Sequence, residues 1–366
     1  MQAIDGSMIS RQDELAQLLV LLALSPRIGI DTEFVRERTY FPQLCLLQVA
    51  TEELVACIDC LAPLDLEPLF DTLLQSQCVL HSARQDLEIV WNSAQRLPVT
   101  LFDTQIAAGL IGFAPQIGLQ ELTSELLGVD LEKSQTRTNW AHRPLSTAAF
   151  EYALDDVRHL LPLAQRLYER LTELGRYDWF VEDCERVLAS PPIPDDLTIW
   201  QRLKGLGRQS LQVQTAGLAL VRWREQRARK LDRPRRWVLS DEQLTGLAKA
   251  LPTSLDEIES MDGLPRKLVA HSGRDILAAV AAAGSSELES LIAATTDTLA
   301  PDKNDLRALQ AEVKSLAREL GINAEILATK RDLTALACGR TPSAFISGWR
   351  ATVLAGSETL ARLGSS

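Results

Sequence analysis

Asp31 and Glu33 stand two residues apart in Ile28-Gly29-Ile30-Asp31-Thr32-Glu33-Phe34. Strand side chains alternate between faces, so Ile28 and Ile30 bury one face and the two carboxylates share the other. Side by side they repel unless a cation lies between them. In His81-Ser82-Ala83-Arg84-Gln85-Asp86, the aspartate falls in the first turn of a helix that follows a strand. An aspartate there also caps free helix N–H groups, and alone it would need no other explanation. In Tyr152-Ala153-Leu154-Asp155-Asp156, Tyr152 and Asp156 are one helical turn apart, phenol beside carboxylate. Hard Mg²⁺ or Mn²⁺ prefers oxygen ligands, so Asp31, Glu33, Asp86 and Asp156 would make a suitable cage without histidine if the fold brought them together; each context alone has an ordinary structural explanation. Two such cations about 3.5–4 Å apart can activate a water, neutralise phosphate oxygens and stabilise a leaving oxygen. Tyrosine, with an ordinary pKa of about 10, is a weak base at neutral pH and is better suited to orienting a water.

The elements that must position these residues are legible in outline. Leu15–Leu24 reads as an amphipathic helix capped near Ser10, with Asp13 and Glu14 where a signal peptide would carry basic residues. The Asp31 strand, Gln43–Ala50 and Leu54–Cys60 are short β-rich runs with tight connections, as in an antiparallel meander. A helix over Leu64–Gln75, a strand over Cys78–His81 and a helix over Arg84–Trp91 follow. Helices are expected over Phe102–Gly112, Leu119–Leu127 and Ser146–Leu174, with a polar loop from Asp130 to Pro144. The fold class is α/β, a mixed sheet flanked by helices, followed by all-α bundles.

The 366 residues suffice for two or three domains, and 46% hydrophobic with 24% charged residues is an ordinary globular balance. Six scattered cysteines, with only Cys57 and Cys60 as a CxxC, suit a reducing cytosol better than a zinc site. A cytoplasmic, soluble, monomeric protein without membrane association is expected. The net charge of −11 argues against indiscriminate coating of nucleic acid, but not against a metal-centred site that handles phosphates.

Strand DxE, helix-start Asp and helical YxxxD, in that order, resemble the motifs of the tyrosine-bearing branch of the DEDD exonuclease superfamily. DTEFVRERTYFPQLCLLQVA, HSARQDLEIVW, LFDTQIAAGL and EYALDDVRHLLPL together resemble the ribonuclease D family over the first half of the chain. The resemblance implies an RNase H-like domain and a 3′→5′ exoribonuclease. It would trim structured RNAs, tRNA precursors above all, and release 5′-mononucleotides. It implies that Asp31 bridges two cations, that Glu33 and Asp156 complete one site, and that Asp86 supports the other. Tyr152 and Glu33 are the expected catalytic residues. Thr32, Phe34, Arg36 and Arg38 are candidate substrate contacts, and the Lys133–Arg137 loop with Trp140 a candidate border of the substrate path. Asp103 reads as a helix cap and His81 as a structural histidine.

Ser190-Pro191-Pro192-Ile193-Pro194 cannot continue a helix and marks a domain boundary. Four parts are expected: 1–190, a linker over 191–205, a helical bundle over 206–284, and a second, degenerate one over 285–366. Trp200–Gly284 resembles an HRDC domain, the bundle shared by RecQ-type helicases and ribonuclease D. Arg222, Arg224, Arg229, Arg235 and Arg236 lie in its basic stretch, beside Trp223 and Trp237, and are candidate nucleic-acid contacts. A helicase is excluded because no GxxxxGK[ST] phosphate loop occurs. A DNA exonuclease of the same superfamily, or an RNA-binding protein that has lost catalysis, are the alternatives.

Overall fold

The computed structural model describes residues 5–131, 138–295 and 302–364. The first part of the chain builds a sheet from β1 (Ser7–Ile9), β2 (Arg27–Val35), β3 (Gln43–Ala50), β4 (Val55–Asp59), β5 (Gln77–Leu80) and β6 (Thr100–Asp103). Their order is β1-β4-β3-β2-β5-β6. β3 pairs antiparallel with β4, whereas β1–β4, β2–β5 and β5–β6 are parallel. β3 is central, and Cys45 to Ala50 are all buried, as expected of a strand covered on both faces.

The helices here are α1 (Gln12–Leu22), α2 (Glu67–Gln75), α3 (Arg84–Ala94), α4 (Thr104–Leu110), α5 (Leu119–Leu127), α6 (Thr147–Arg158), α7 (Leu160–Glu173) and α8 (Tyr177–Ala189). α1 buries Leu15, Leu18 and Leu22, the stripe of a core-packed helix. Its cap lies at Arg11 rather than Ser10, because Glu14 folds back to accept the Ser10 and Arg11 N–H groups. The helix expected over Phe102–Gly112 starts later: Thr100–Asp103 forms an edge strand, and Asp103 has the extended backbone of an N-cap. The helix expected over Ser146–Leu174 breaks at His159, because Pro162 has no N–H to offer the Arg158 carbonyl.

The chain divides into two compact units. Unit 1 comprises Met1–Val35, Leu44–Pro192 and Leu299–Ser366; unit 2 comprises Arg36–Gln43 and Ile193–Thr298. One junction between the units, Pro192–Ile193, lies in the proline-rich stretch; the others do not coincide with 205/206 or 284/285. In place of a linker, α9 (Asp196–Gln201) buries Ile199 and Trp200 in the core of unit 2. That core centres on α10 (Leu211–Leu231), with α11 (Arg235–Val238), α12 (Asp241–Ala250), α13 (Leu255–Glu259) and α14 (Arg266–Ala281) around it. α15 (Ser286–Thr295) also joins it through Leu288 and Ile292, so the position between 284 and 285 is internal to the unit.

The expected independent C-terminal bundle instead packs into unit 1. α16 (Lys303–Leu320), α17 (Ala324–Leu327), α18 (Lys330–Ala337), α19 (Trp349–Leu354) and α20 (Glu358–Gly364) send Leu309, Val313, Leu327, Leu336 and Trp349 into the same core as the sheet. Trp349 stacks on Trp179 at 4.6 Å, and its indole N–H donates to buried Asp183. Gly112 has φ +112°, and a Cβ there would lie 2.8 Å from the Gly321 carbonyl oxygen, so only glycine permits this approach.

Among the described residues no single helix is long and apolar enough to cross a membrane. The bent pair Arg266–Gly284 and Ser286–Ala293 passes only on composition, and its Ile276, Val280, Leu288 and Ile292 belong to the core of unit 2.

Candidate metal centre

β2 supplies the first two carboxylates, and α6 lies over them. Gly29, two residues before Asp31 on the same face, makes the approach possible: a Cβ there would sit 3.3 Å from the Leu160 Cβ and 3.5 Å from the Val157 carbonyl oxygen. α6 is short-sided where it packs, burying Ala149, Ala153, Leu154 and Val157, and Ser146 caps it by accepting the Ala149 N–H at 3.2 Å. Carboxylate oxygens of Asp31, Glu33 and Asp156 thereby come within 4.8 Å of one another. The Tyr152 phenol donates to Asp156, one turn further along α6.

The electrostatics of the cluster are those of like charges crowded together in a partly dry site. Burial is the largest cause lifting Asp31 well above the carboxylate range, followed by the charges of Asp86, Asp156 and Glu33. Glu33 is pushed up to about 8, by burial and then by Asp156 and Asp86. Asp156 rises to about 7, mainly by burial, with the Tyr152 hydrogen bond opposing the rise. Tyr152 is itself held far above its ordinary range, first by burial and then by Asp156, so its phenol stays a donor at neutral pH.

Asp86 is held apart from that trio. It occupies the first turn of α3, is 7% exposed, and accepts a 2.6 Å hydrogen bond from the Thr32 hydroxyl. Burial lifts it to about 6 against that bond. It still acts on Asp31 and Glu33 through space. Thr32, proposed from sequence as a substrate contact, is therefore corrected: its side chain is buried and points to Asp86, because alternation turns it away from the Asp31–Glu33 face.

Asp103 is an N-cap as expected, yet it does more than close α4. Its carboxylate accepts the N–H groups of Gln105 and Ile106 and also those of Ser82 and Ala83. Ser82 has φ +60°, and Asp103 thus pins the turn that launches the Asp86 helix. His81 bonds Thr104 at 2.9 Å and the Ile117 carbonyl at 3.0 Å, a structural arrangement. Sequence reading missed Arg143, which bonds Asp59 through two nitrogens (2.9 and 2.7 Å), the Cys45 carbonyl (2.8 Å) and the Trp140 carbonyl (2.7 Å). It fixes the segment bearing Trp140, whose buried ring lies 6.3 Å from that of Tyr152. An arginine in a polar loop gives no local sign of such partners. The Lys133–Arg137 stretch lies outside the described residues.

Phe34 is half-buried at the end of β2, and Arg36 and Arg38 are exposed. In unit 2, Arg224 is corrected as a nucleic-acid contact. It is 0% exposed and bonds Asp241 at 2.7 Å beside an equally buried Glu225. Arg222 pairs with Glu287, Arg235 with Glu225 and Arg236 with Asp241. Arg229 donates to the Tyr40 hydroxyl at 3.0 Å, and that hydroxyl lies 3.0 Å from Glu225. Lys230, Arg233, Arg236 and Trp237 are exposed, Trp237 by 62%.

The donor set suits divalent cations. The charges that act on Glu33 are those of two other carboxylates, and such repulsion is what a cation cancels. Cys57, whose thiol is buried and raised by Asp31 and Asp156, is a poor competitor for metal because it stays protonated. Asp31, Glu33 and Asp156 could hold such an ion directly.

Comparison with known proteins identifies the family. A 3′-5′ exonuclease family model matches residues 7–172, and an HRDC domain model matches residues 218–280. Ribonuclease D of Gluconacetobacter diazotrophicus is 37% identical, over 98% of this chain and 92% of the relative. Ribonuclease D of Xanthomonas oryzae pv. oryzae is 40% identical, over 90% of this chain and 91% of the relative. The crystal structure of Escherichia coli RNase D, described as an exoribonuclease involved in structured RNA processing, superposes with a TM-score of 0.82 at 30% identity, covering 97% of each chain.

Proposed function

The chain belongs to the ribonuclease D family and is a hydrolytic 3′→5′ exoribonuclease; from that premise we propose that it trims the 3′ ends of structured RNAs, tRNA precursors above all, at the Asp31–Glu33–Asp156 cluster. The observation that carries the assignment of the site is the convergence of those three carboxylates within 4.8 Å beneath Tyr152. Each cycle adds water to the terminal phosphorus and breaks its bond to the 3′ oxygen of the preceding nucleotide. The products are a 5′-mononucleotide and an RNA one residue shorter with a free 3′ hydroxyl.

Asp31, Glu33 and Asp156, with Asp86 beside them, would hold two Mg²⁺ or Mn²⁺ ions, which would supply Lewis-acid activation of the water and neutralisation of the phosphate charge. The protein's own groups position the parts. Thr32 fixes the orientation of Asp86 by its hydroxyl. Tyr152, protonated and bonded to Asp156, presents a phenol that orients the attacking water. The buried Trp140 ring lies beside that of Tyr152. Phe34 follows the carboxylates along the chain and offers a stacking surface to the RNA 3′ end, while the exposed Arg36 and Arg38 belong to unit 2 and offer phosphate contacts there. Lys230, Arg233, Arg236 and Trp237 on unit 2 offer a second surface of the kind that tracks an RNA backbone.

The test uses 5′-labelled single-stranded RNA and DNA of one sequence, with Mg²⁺, Mn²⁺ or chelator. A metal-dependent ladder shortening from the 3′ end of RNA, absent with Asp31→Asn, is expected. Equal degradation of DNA would make the protein a general exonuclease. Full activity of Asp31→Asn would remove the cluster from the reaction.

A further inference from the structure

Gln48 interrupts the apolar run Leu44-Cys45-Leu46-Leu47-Gln48-Val49-Ala50 at the centre of β3. It is 0% exposed, and neither the nitrogen nor the oxygen of its carboxamide has a hydrogen-bond partner among the protein atoms. Buried polar groups are almost always paired, because an unpaired amide in an apolar place is destabilising. A core position that needed only volume would carry leucine or methionine.

Its place in the sheet suggests a reason. Gln48 is registered opposite Cys57 of β4, so the two side chains project from one face. The other neighbour of β3 is β2. The connection between β2 and β3, residues 36–42, is too short for a parallel crossover, so the two strands run antiparallel. A Cβ on Gly29 would sit 3.3 Å from the Cβ of Ala50, which puts Gly29 and Ala50 on the same face and side by side. Two residues along each antiparallel strand from that pair, Asp31 stands next to Gln48. The charges of Asp31 and Asp156 also reach the Cys57 thiol, on the far side of Gln48. The unpaired carboxamide therefore lies under the carboxylate cluster, between Asp31 and Cys57.

We propose that Gln48 is a positioning residue for Asp31: its carboxamide N–H, across one water, holds the Asp31 carboxylate in the orientation that receives a divalent cation. The inference rests on the metal-centre reading above. The carboxylate is an acceptor with lone pairs to spare, and the amide is a donor with no other use. A neutral donor suits this position, since a lysine would compete with the cation for the carboxylate.

The test titrates metal-stripped wild type, Gln48→Met and Asp31→Asn with Mn²⁺ by calorimetry, and melts each protein in chelator. Gln48→Met keeps the volume and removes the amide, so it is expected to melt in chelator no lower than wild type. It is also expected to bind Mn²⁺ roughly 10- to 100-fold more weakly, the usual effect of losing a group that orients a ligand. Half-maximal hydrolysis should then need proportionately more Mn²⁺, with kcat largely restored at saturation. Wild-type Mn²⁺ affinity in Gln48→Met, while Asp31→Asn binds poorly, would overturn this inference alone. Failure of wild type itself to bind Mn²⁺ would overturn the metal-centre reading and this inference with it. If Gln48→Met melts early, Gln48→Leu takes its place under the same criteria.

Discussion

Glu33→Gln should stabilise the metal-free protein at alkaline pH while abolishing its activity. In the folded protein Glu33 titrates near 8 rather than its ordinary 4.5, because burial and the charges of Asp156 and Asp86 oppose its ionisation. With the folded value above the unfolded one, its contribution to stability is fully present below about pH 4.5. It is lost progressively as pH rises to about 8. At about 1.4 kcal/mol per decade of proton affinity, the ceiling is about 5 kcal/mol; solvent access to a half-buried side chain reduces this to about 2 kcal/mol. For a unit of this size, about 2–4 °C per kcal/mol makes that a difference of about 4–8 °C in melting temperature. The assay is a thermal melt in chelator across the range from pH 5 to above 8, comparing wild type with Glu33→Gln. The two curves should meet at the acid end and separate as pH rises, the variant melting higher. Added Mn²⁺ should close the gap by raising the wild type, since a cation relieves the same repulsion. Coincident curves above pH 8, or a less stable variant there, would refute the claim that Glu33 sits in an uncompensated acidic cluster.

Tyr152→Phe should slow turnover strongly while leaving Mn²⁺ affinity nearly unchanged, because the phenol bonds Asp156 without being a ligand itself; a calorimetric loss of metal affinity would assign Tyr152 a different role. Arg224→Ala should destabilise unit 2 by about 3–5 kcal/mol in chemical denaturation, because it strands the charge of buried Glu225. A variant as stable as wild type would mean that Glu225 is compensated by Arg235 and Tyr40 alone.

The local order of elements was legible where periodicity and turn chemistry act over a few residues. β2, β3, α3 and α5 lie close to where alternation, helical spacing and caps put them. The errors are of another kind. Thr100–Asp103 is too short to show a pattern, and becomes a strand only because β5 offers it an edge. Ile199, Trp200, Leu288 and Ile292 look like residues of a linker and of a new domain until the core of unit 2 collects them. The basic stretch around α10 read as one charged surface, but Arg224 is buried against Asp241, 17 residues away in sequence.

The sequence by itself determined the candidate ligand types, their order and the face each would occupy, because DxE on a strand and YxxxD on a helix are local geometry. It carried the family as well, through motifs spread over the first half of the chain. Only the tertiary structure decided which carboxylates meet. Asp31, Glu33 and Asp156 converge because Gly29 lets the helical layer approach β2, whereas Asp86 stays on its Thr32 hydrogen bond. It also decided that residues from α16 onward complete the core of unit 1 and that Gln48 stands beside Asp31. Contacts between distant segments depend on backbone approach and strand register, neither of which leaves a periodic signal in the chain.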